Sequence, residues 1–379
     1  MTTLRVVLDQ IVAPVPGGTG RYAEELTRHL IETAPAGCEV AGIVPASSAD
    51  DYARINELLP GLSNLHKTLL PHGALSVAWQ LGLSPLLGKN MVHSPDLLAP
   101  LGRHDRLNDV GDQTVVTVHD MVAWTHPETI SQRAVVWNKM MVKRAQKYAD
   151  AVVVPSHTVA EQLAAEFNFG DRIRIIGGAV SSKLALPVDA GARAAAMQLP
   201  EEYLLSVGSL EPRKGITALI QSLARPESVD LPLLIVGPAG WGDLDVAAIA
   251  AEAGLAEGRV RTLGFLAGAD LAVALDRATV FVFPSLAEGF GLPVIEAFKF
   301  GTPVVHSDAP AVLEVAAGAG VTVAREDAEG YPERLATAIA SVVGDSTLSR
   351  RLQTTGQDRA KSFSWKDSAE KVWQLHADL

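Results

Sequence analysis

Residues 280–296 read VFVFPSLAEGFGLPVIE, and this stretch decides the fold. Its first four residues form a continuous apolar run, which is typical of a strand buried on both faces. A glycine-bearing turn follows, and the spacing of apolar residues from Leu292 onward favours a helix. A buried strand, a short turn and a helix form the repeating unit of a parallel sheet covered by helices on both faces.

The same alternation recurs through most of the chain. It pauses between residues 183 and 200, where Pro187, Gly191 and Pro200 indicate a linker with a little helix. We therefore predict an α/β fold class with two doubly wound domains joined near residue 190, and ligand sites beyond the carboxyl ends of the strands. The predicted strands are residues 4–8, 39–44, 91–93, 114–118, 151–154, 203–207, 233–236, 259–263, 280–283, 303–305 and 320–323.

Composition and charge exclude several classes of protein. The 379 residues are 48% hydrophobic, which excludes a mostly disordered chain. A net charge of −11 and an aromatic content of 5% argue against a nucleic-acid partner, which needs basic and stacking surfaces. Cys38 is the one cysteine, and residues 1–9 do not resemble a signal peptide, so we expect a cytoplasmic protein. The stretch 68–88 is too polar to span a membrane, so any membrane contact would be peripheral.

The deciding stretch carries two carboxylates eight residues apart, Glu288 in the turn and Glu296 in the first turns of the predicted helix. Gly289 and Gly291 allow the backbone to approach a ligand closely, and the free N–H groups at the start of a helix favour a phosphate. Two carboxylates so placed can accept hydrogen bonds from the vicinal hydroxyls of a hexose and a ribose. The alternative is an ordinary strand–turn–helix with a capping acid.

Three further motifs follow predicted strands. SVGSLEPRKG (206–215) sets Arg213 beside Lys214, and two adjacent cations suit a diphosphate. The alternative is a solvent-exposed basic turn that binds no ligand. VTVHD (116–120) places His119 at a strand end, as a ligand-facing residue or as a hydrogen-bonded structural histidine. A glycine-rich turn around Gly18 lacks the G-x-G-x-x-G spacing of dinucleotide-binding proteins. It is either an ordinary turn or a turn whose backbone contacts a phosphate.

Residues 243–245 form an Asp-x-Asp pair, a pattern that can bind a metal ion together with a nucleotide. Because its surroundings read as a surface loop, we interpret it as structural and expect no metal site. No cluster of acidic residues and histidines has the spacing of an octahedral cation site. We also expect no cofactor other than the substrate.

Several separated motifs, TVHD, EPRK, EGFGLPVIE and AFKFGTPVVHSDAPAVLEV, agree in their order along the chain and resemble those of the family-4 (group 1) retaining glycosyltransferases with the GT-B fold. The resemblance covers most of the chain and is nearest to bacterial polysaccharide mannosyltransferases. It departs from many relatives at residues 177–180, which read GGAV in place of Pro-Asn-Gly-Val. It implies two facing Rossmann-like domains, 1–185 on the acceptor side and 200–363 on the nucleotide-sugar side, with helix 364–379 crossing back to the first.

The resemblance also implies a role for each motif. Arg213 and Lys214 neutralise the diphosphate leaving group, Glu288 positions the sugar, and His119 faces the sugar and its phosphate. Glu296 holds the ribose, and Phe265 lies where the base is expected. Further donor-binding positions are Gly18, Ser209, Phe290, Gly291 and Leu292.

The implied reaction is metal-independent transfer of a hexose from a nucleotide-sugar donor, with retention of anomeric configuration. The leading donor is GDP-mannose, and a UDP-hexose or dTDP-rhamnose stays open. The acceptor is a hydroxyl of a saccharide or a lipid-linked molecule, with peripheral membrane contact through the N-terminal domain. Two other classes stay open: an NAD-dependent oxidoreductase and a noncatalytic sugar-binding protein.

Overall fold

The computed structural model describes residues 2–13, 17–83, 91–105, 111–242 and 244–379. The chain divides into two compact units by its contacts. The first comprises Met1–Ala123, Gln132–Gly178 and Ser364–Leu379, and the second comprises Trp124–Ser131 and Ala179–Phe363. The main division of the chain thus falls between Gly178 and Ala179, and Trp124–Ser131 and Ser364–Leu379 are the exceptions to it.

Each unit contains a sheet in which neighbouring strands run parallel. Among the described residues, the strand order is β3-β2-β1-β4-β5-β6-β7 in the first unit and β10-β9-β8-β11-β12-β13 in the second. The strands are β1 (Thr2–Val7), β2 (Cys38–Val44), β3 (Leu65–Lys67), β4 (Met91–Ser94), β5 (Gln113–Thr117), β6 (Ala151–Val154), β7 (Ile173–Ile175), β8 (Leu204–Val207), β9 (Leu233–Val236), β10 (Val260–Gly264), β11 (Val280–Phe283), β12 (Val304–Ser307) and β13 (Val321–Val323). The predicted fold class, α/β with two parallel sheets, is confirmed.

Helices connect the strands, as parallel pairing requires. They are α1 (Gly18–Glu32), α2 (Ala49–Leu58), α3 (His72–Gln80), α4 (Val122–Thr125), α5 (Gln132–Tyr148), α6 (His157–Glu166), α7 (Ala190–Ala196), α8 (Ile216–Ser222), α9 (Val246–Glu252), α10 (Gly268–Arg277), α11 (Leu292–Phe300), α12 (Pro310–Ala316), α13 (Tyr331–Gly344), α14 (Ser346–Ala360) and α15 (Trp365–Asp378). Within the described residues, no helix is long and apolar enough to cross a bilayer.

Two strands, β3 and β7, were not predicted from the sequence. Each has three residues and lies at an edge of the first sheet, where only partial burial is available. Because an edge strand is covered less completely, its sequence need not be a continuous apolar run, and LHK and IRI do not stand out.

The central strands of the second unit are buried along their whole length. Phe281 and Phe283 point to one face of the sheet and pack in one core cluster, while Val280 and Val282 belong to the cluster on the other face. Burying each phenylalanine side chain contributes roughly 1.5–3 kcal/mol. This two-sided burial explains why VFVF reads as an unbroken apolar run.

Helix α15 packs within the first unit. Its Trp373 indole N–H donates to the carbonyl of Leu30 at 3.1 Å, and its Ser368 hydroxyl donates to the carbonyl of Gly177 at 2.8 Å. His376 of the same helix forms a hydrogen bond with the side chain of Gln113, Nδ1 to Oε1, at 2.9 Å. These contacts join the end of the chain to the sheet of the first unit.

The strand orders also locate the switch points, where ligands bind in doubly wound sheets. In the second unit, β8 lies beside β11, although β9 and β10 intervene in the sequence. Their carboxyl ends therefore open at neighbouring points of one sheet edge. The segments that leave those ends are residues 208–215 and 284–291, which contain the motifs EPRK and EGFG.

Candidate functional site

The turn after β11 depends on a left-handed glycine. Helix α11 begins at Leu292, and Gly291 caps it with φ of 109°, a conformation that side chains with a Cβ rarely adopt. The strand, the turn and the helix therefore follow one another as the sequence pattern predicts. The turn carries Glu288, and Glu296 lies on α11, where it is only 2% exposed.

The EPRK segment packs directly on this turn. Pro212–Lys214 forms a single 3-10 turn, and Gly215 ends it with φ of 68°. A Cβ on Gly215 would lie 2.1 Å from the carbonyl oxygen of Pro284, so a larger residue cannot fit there. The backbone N–H of Leu286 donates to the carbonyl of Arg213 at 2.7 Å. Close packing thus fixes the two motifs relative to each other.

This packing brings three predicted site residues into one ionic cluster. Lys214 Nζ donates to Glu288 Oε1 at 2.6 Å, and Arg213 Nη1 lies 3.5 Å from Glu288 Oε2. The side chains of Arg213, Lys214 and Glu288 are 17%, 12% and 10% exposed. Arg213 Nε also donates to Glu211 Oε2 at 2.8 Å. Two cations and two carboxylates therefore share a partly desolvated edge of the sheet.

Burial and the neighbouring opposite charges shift the pKa values of Glu288 and Lys214 in opposite directions. Burial raises the pKa of Glu288, but the charges of Lys214 and Arg213 outweigh that effect and lower the pKa below its ordinary value. Burial also lowers the pKa of Lys214, and the attraction of Glu288 only partly opposes the shift. Glu288 is accordingly a carboxylate near neutral pH, and it holds the two cations side by side.

Three other predicted donor residues of the second unit, Ser209, Phe265 and Phe290, follow strand ends. Phe290 is half-buried, and its ring meets that of Phe363 edge-on with centroids 5.7 Å apart. Ser209 is half-buried just beyond β8. Phe265 follows β10 and is 58% exposed, which leaves its ring accessible. These side chains lie on segments that leave the carboxyl ends of β8, β10 and β11.

The first unit contains the other two predicted residues, Gly18 and His119. Helix α1 begins at Gly18, where a Cβ would meet nothing within 4 Å. One turn later, the ring of Tyr22 meets His119 edge-on, with centroids 4.8 Å apart. His119 follows β5, and its Nε2 lies 2.6 Å from the carbonyl oxygen of Pro95.

That contact also indicates the charge state of His119. Burial lowers the pKa of the imidazole, and its hydrogen bond to Pro95 only partly offsets the effect. A neutral ring that donates from Nε2 to a carbonyl leaves Nδ1 as an acceptor. His119 is therefore suited to accept a hydrogen bond and is not a fixed positive charge.

The structure describes one of the two carboxylates of the Asp-x-Asp pair at residues 243–245. Asp243 lies outside the described residues. Asp245 caps helix α9, and its Oδ1 accepts the backbone N–H of Ala248 at 3.0 Å. Within the described part of the chain, no group of three or more His, Cys, Asp or Glu side chains is placed to hold a metal ion.

Two residues that support the ionic cluster and its turn, Glu211 and Arg325, were not predicted from the sequence. Glu211, inside the quoted EPRK motif, pairs with Arg213, and its position two residues before the cation was the available signal. Arg325 donates to the carbonyl of Leu286 and, at 2.6 Å, to Asp308, which supports the turn from a distant segment. No local pattern links Arg325 to that turn, because the contact arises only in the folded unit.

Comparisons with known proteins agree with this geometry. Residues 193–359 match the model of Glycosyl transferases group 1, and residues 16–183 match that of Glycosyltransferase Family 4. The chain is 32% identical to O-antigen chain mannosyltransferase B of Escherichia coli over 270 residues, and these residues cover 68% of each protein.

Two solved structures share the fold over the whole chain. Sucrose-phosphate synthase from Thermosynechococcus elongatus has a TM-score of 0.76 at 22% identity, covering 100% of this chain and 99% of that one. HepE of Anabaena has a TM-score of 0.74 at 17% identity and covers 100% of both chains. Together, the family models, the relative and the parallel sheets show that the chain belongs to the family-4 glycosyltransferases of the GT-B fold.

Proposed function

We propose that this glycosyltransferase transfers mannose from GDP-mannose to a hydroxyl group of a growing surface polysaccharide or glycoconjugate. The observation that carries the proposal is the cluster of Arg213, Lys214 and Glu288 at one sheet edge. The choice of sugar rests on the similarity to O-antigen chain mannosyltransferase B, at 32% identity.

The cluster suits a diphosphate that gains charge as it leaves. A guanidinium can fork two phosphate oxygens, and an ammonium adds a compact positive charge beside it. Because both cations are fixed in a partly desolvated place, little reorganisation is needed when negative charge develops on the leaving oxygen. The N–H groups at the start of α11 would add to this stabilisation.

We propose that the transfer retains the anomeric configuration without a covalent glycosyl-enzyme intermediate. Glu288 is already engaged by two cations, so it is poorly suited to act as a covalent nucleophile. We infer that the leaving phosphate accepts the proton of the attacking hydroxyl on the same face of the sugar. In this scheme Glu288 positions the sugar and Glu296 accepts hydrogen bonds from the ribose. The protein's cations take the role of a metal, so we propose metal-independent transfer.

A UDP-hexose is the second candidate donor. HepE, which shares the fold, was solved in complex with UDP and glucose. The exposed ring of Phe265 would stack on either base, so it does not separate a purine from a pyrimidine. The acceptor is proposed to be a saccharide or a lipid-linked molecule met in the cytoplasm at a membrane surface.

Nucleotide binding followed by product analysis tests the proposal. Thermal-shift titrations with GDP, UDP, dTDP and NAD should give the largest stabilisation with GDP. Incubation with GDP-mannose and mannosylated acceptors should then yield an α-linked product by NMR, with equal rates in EDTA. Stabilisation by UDP alone would transfer the assignment to a UDP-hexose, and an inverted product would refute the retaining scheme.

A further inference from the structure

The hydrogen bond between His119 and Pro95 holds one end of the imidazole but leaves the plane of the ring loosely fixed. Nε2, which lies 2.6 Å from the carbonyl oxygen of Pro95, is close to the axis about which the ring turns on its Cβ–Cγ bond. Torsions between a tetrahedral and a planar carbon have broad minima, so a second contact is needed to set the plane. The plane matters because it sets the direction in which Nδ1 accepts a hydrogen bond.

The ring of Tyr22 supplies this second contact. Tyr22 lies on α1 and is only 3% exposed, so its own side chain is confined by its surroundings. Its ring meets the imidazole of His119 at an interplanar angle of 87°, with centroids 4.8 Å apart. This is the edge-to-face geometry that aromatic pairs prefer. A rotation of the imidazole about Cβ–Cγ would either give up this contact or press the two rings together.

A third ring, that of Trp365, packs on Tyr22. Trp365 is the first residue of α15, is 5% exposed, and meets Tyr22 at 68° with centroids 5.3 Å apart. Within the described residues its indole N–H has no hydrogen-bond partner, so Trp365 acts on Tyr22 through ring packing. Trp365, Tyr22 and His119 all belong to the first unit, and they form a series of three rings in contact.

We propose that Tyr22, supported by Trp365, is a positioning residue that fixes the imidazole plane of His119 and thereby the direction of Nδ1. Because Nε2 carries the proton, Nδ1 can only accept a hydrogen bond, and hydrogen bonds weaken steeply as their angle departs from linearity. The donor to Nδ1 would be a hydroxyl of a bound sugar, and this part alone rests on the proposed function. Tyr22 and Trp365 act through His119 and need not touch the substrate.

Kinetic measurements with GDP-mannose test the effect on transfer. Tyr22→Phe keeps the ring and should leave kcat nearly unchanged. Tyr22→Leu removes the ring and should lower kcat about ten-fold, which is the share of one neutral hydrogen bond. The KM for GDP-mannose should stay the same, because the cluster that would hold the diphosphate lies in the second unit. When His119→Gln is already present, Tyr22→Leu should lower kcat no further, since the group that it positions is absent.

NMR of the full chain with ¹⁵N-labelled histidine observes the imidazole without any substrate. The native chain should show a protonated Nε2 and an unprotonated Nδ1 for His119, assigned by their loss in His119→Gln. In Tyr22→Leu the two ¹⁵N shifts should move toward each other, because a loosened ring averages its two tautomers. Tyr22→Phe and Trp365→Phe keep a ring at each place and should keep the native shifts. If GDP-mannose supports no turnover, the proposed function fails, and these spectra still decide whether Tyr22 positions His119.

A second tryptophan of α15 provides the matched control. Trp373 is 7% exposed and donates to the carbonyl of Leu30 at 3.1 Å, outside the three-ring series. Trp365→Leu and Trp373→Leu should both lower the melting temperature, but only Trp365→Leu should change the ¹⁵N shifts of His119 and lower kcat. Native shifts in folded Tyr22→Leu and Trp365→Leu would overturn the proposal. So would an equal loss of kcat from Tyr22→Leu with and without His119→Gln, because Tyr22 would then act independently of His119.

Discussion

Removing the ammonium group of Lys214 tests whether the ionic cluster acts in catalysis or only in folding. Lys214→Met keeps the aliphatic stem but deletes the charge that lies 2.6 Å from Glu288 Oε1. Breaking a fully buried pair costs about 3–5 kcal/mol. Arg213 remains 3.5 Å from Glu288, and both members of the pair retain slight exposure. We therefore expect the free energy of unfolding to fall by about 2 kcal/mol.

The effect on turnover has a different origin. Lys214 would contact the diphosphate as negative charge develops, so its loss should lower kcat by roughly 10²–10³-fold. Glu288→Gln provides the second arm of a double-mutant cycle. In the double variant neither member of the pair is left buried without the other, so about 1–2 kcal/mol of stability should return. Turnover should not return, because the cation is still missing.

The assays are urea unfolding and single-turnover cleavage of the donor, with Lys361→Met as the control. Lys361 pairs with Asp358 at 2.9 Å, but the two side chains are 76% and 67% exposed, so neither quantity should change. Recovery of turnover together with stability in the double variant would refute the electrostatic role. Near-normal kcat in Lys214→Met would remove the diphosphate assignment altogether.

Three further outcomes are expected. Gly215→Ala should lower the melting temperature strongly, because its Cβ would clash with the carbonyl oxygen of Pro284, whereas Gly254→Ala, with a similar φ of 73° but nothing within 4 Å, should cost only about 1 kcal/mol; comparable melting temperatures would contradict this. Burial lowers the pKa of His93 from 6.5 to about 3, so the stability that it confers is complete above pH 6.5 and is lost as the pH falls toward 3. Between those pH values, the free energy of unfolding measured in urea should fall by about 1.4 kcal/mol less per pH unit in His93→Gln than in the native chain. Parallel curves of the free energy against pH for the two proteins would disprove the effect. Glu296→Gln should weaken GDP binding roughly ten-fold by calorimetry, and an unchanged Kd would leave Glu296 as a structural acid.

Much of the fold could be predicted because central parallel strands are buried on both faces. VFVF, LLIV and AVVV read as strands from composition alone, and the structure has strands at the same residues. The edge strands β3 and β7 could not be predicted, since three half-buried residues carry little pattern. The helix start at Leu292 was predictable, because Gly291 has to adopt a left-handed conformation there.

The sequence by itself determined the chemical types at the site: two adjacent cations after one strand, and a carboxylate in a glycine-bearing turn after another. Only the tertiary structure decided that Arg213 and Lys214 share Glu288 as a partner. The two motifs are separated by more than sixty residues in the sequence. They meet because β8 and β11 are neighbours in the sheet, and because Gly215 allows the turns to touch. Such proximity depends on strand order and close packing, which local residue patterns do not encode.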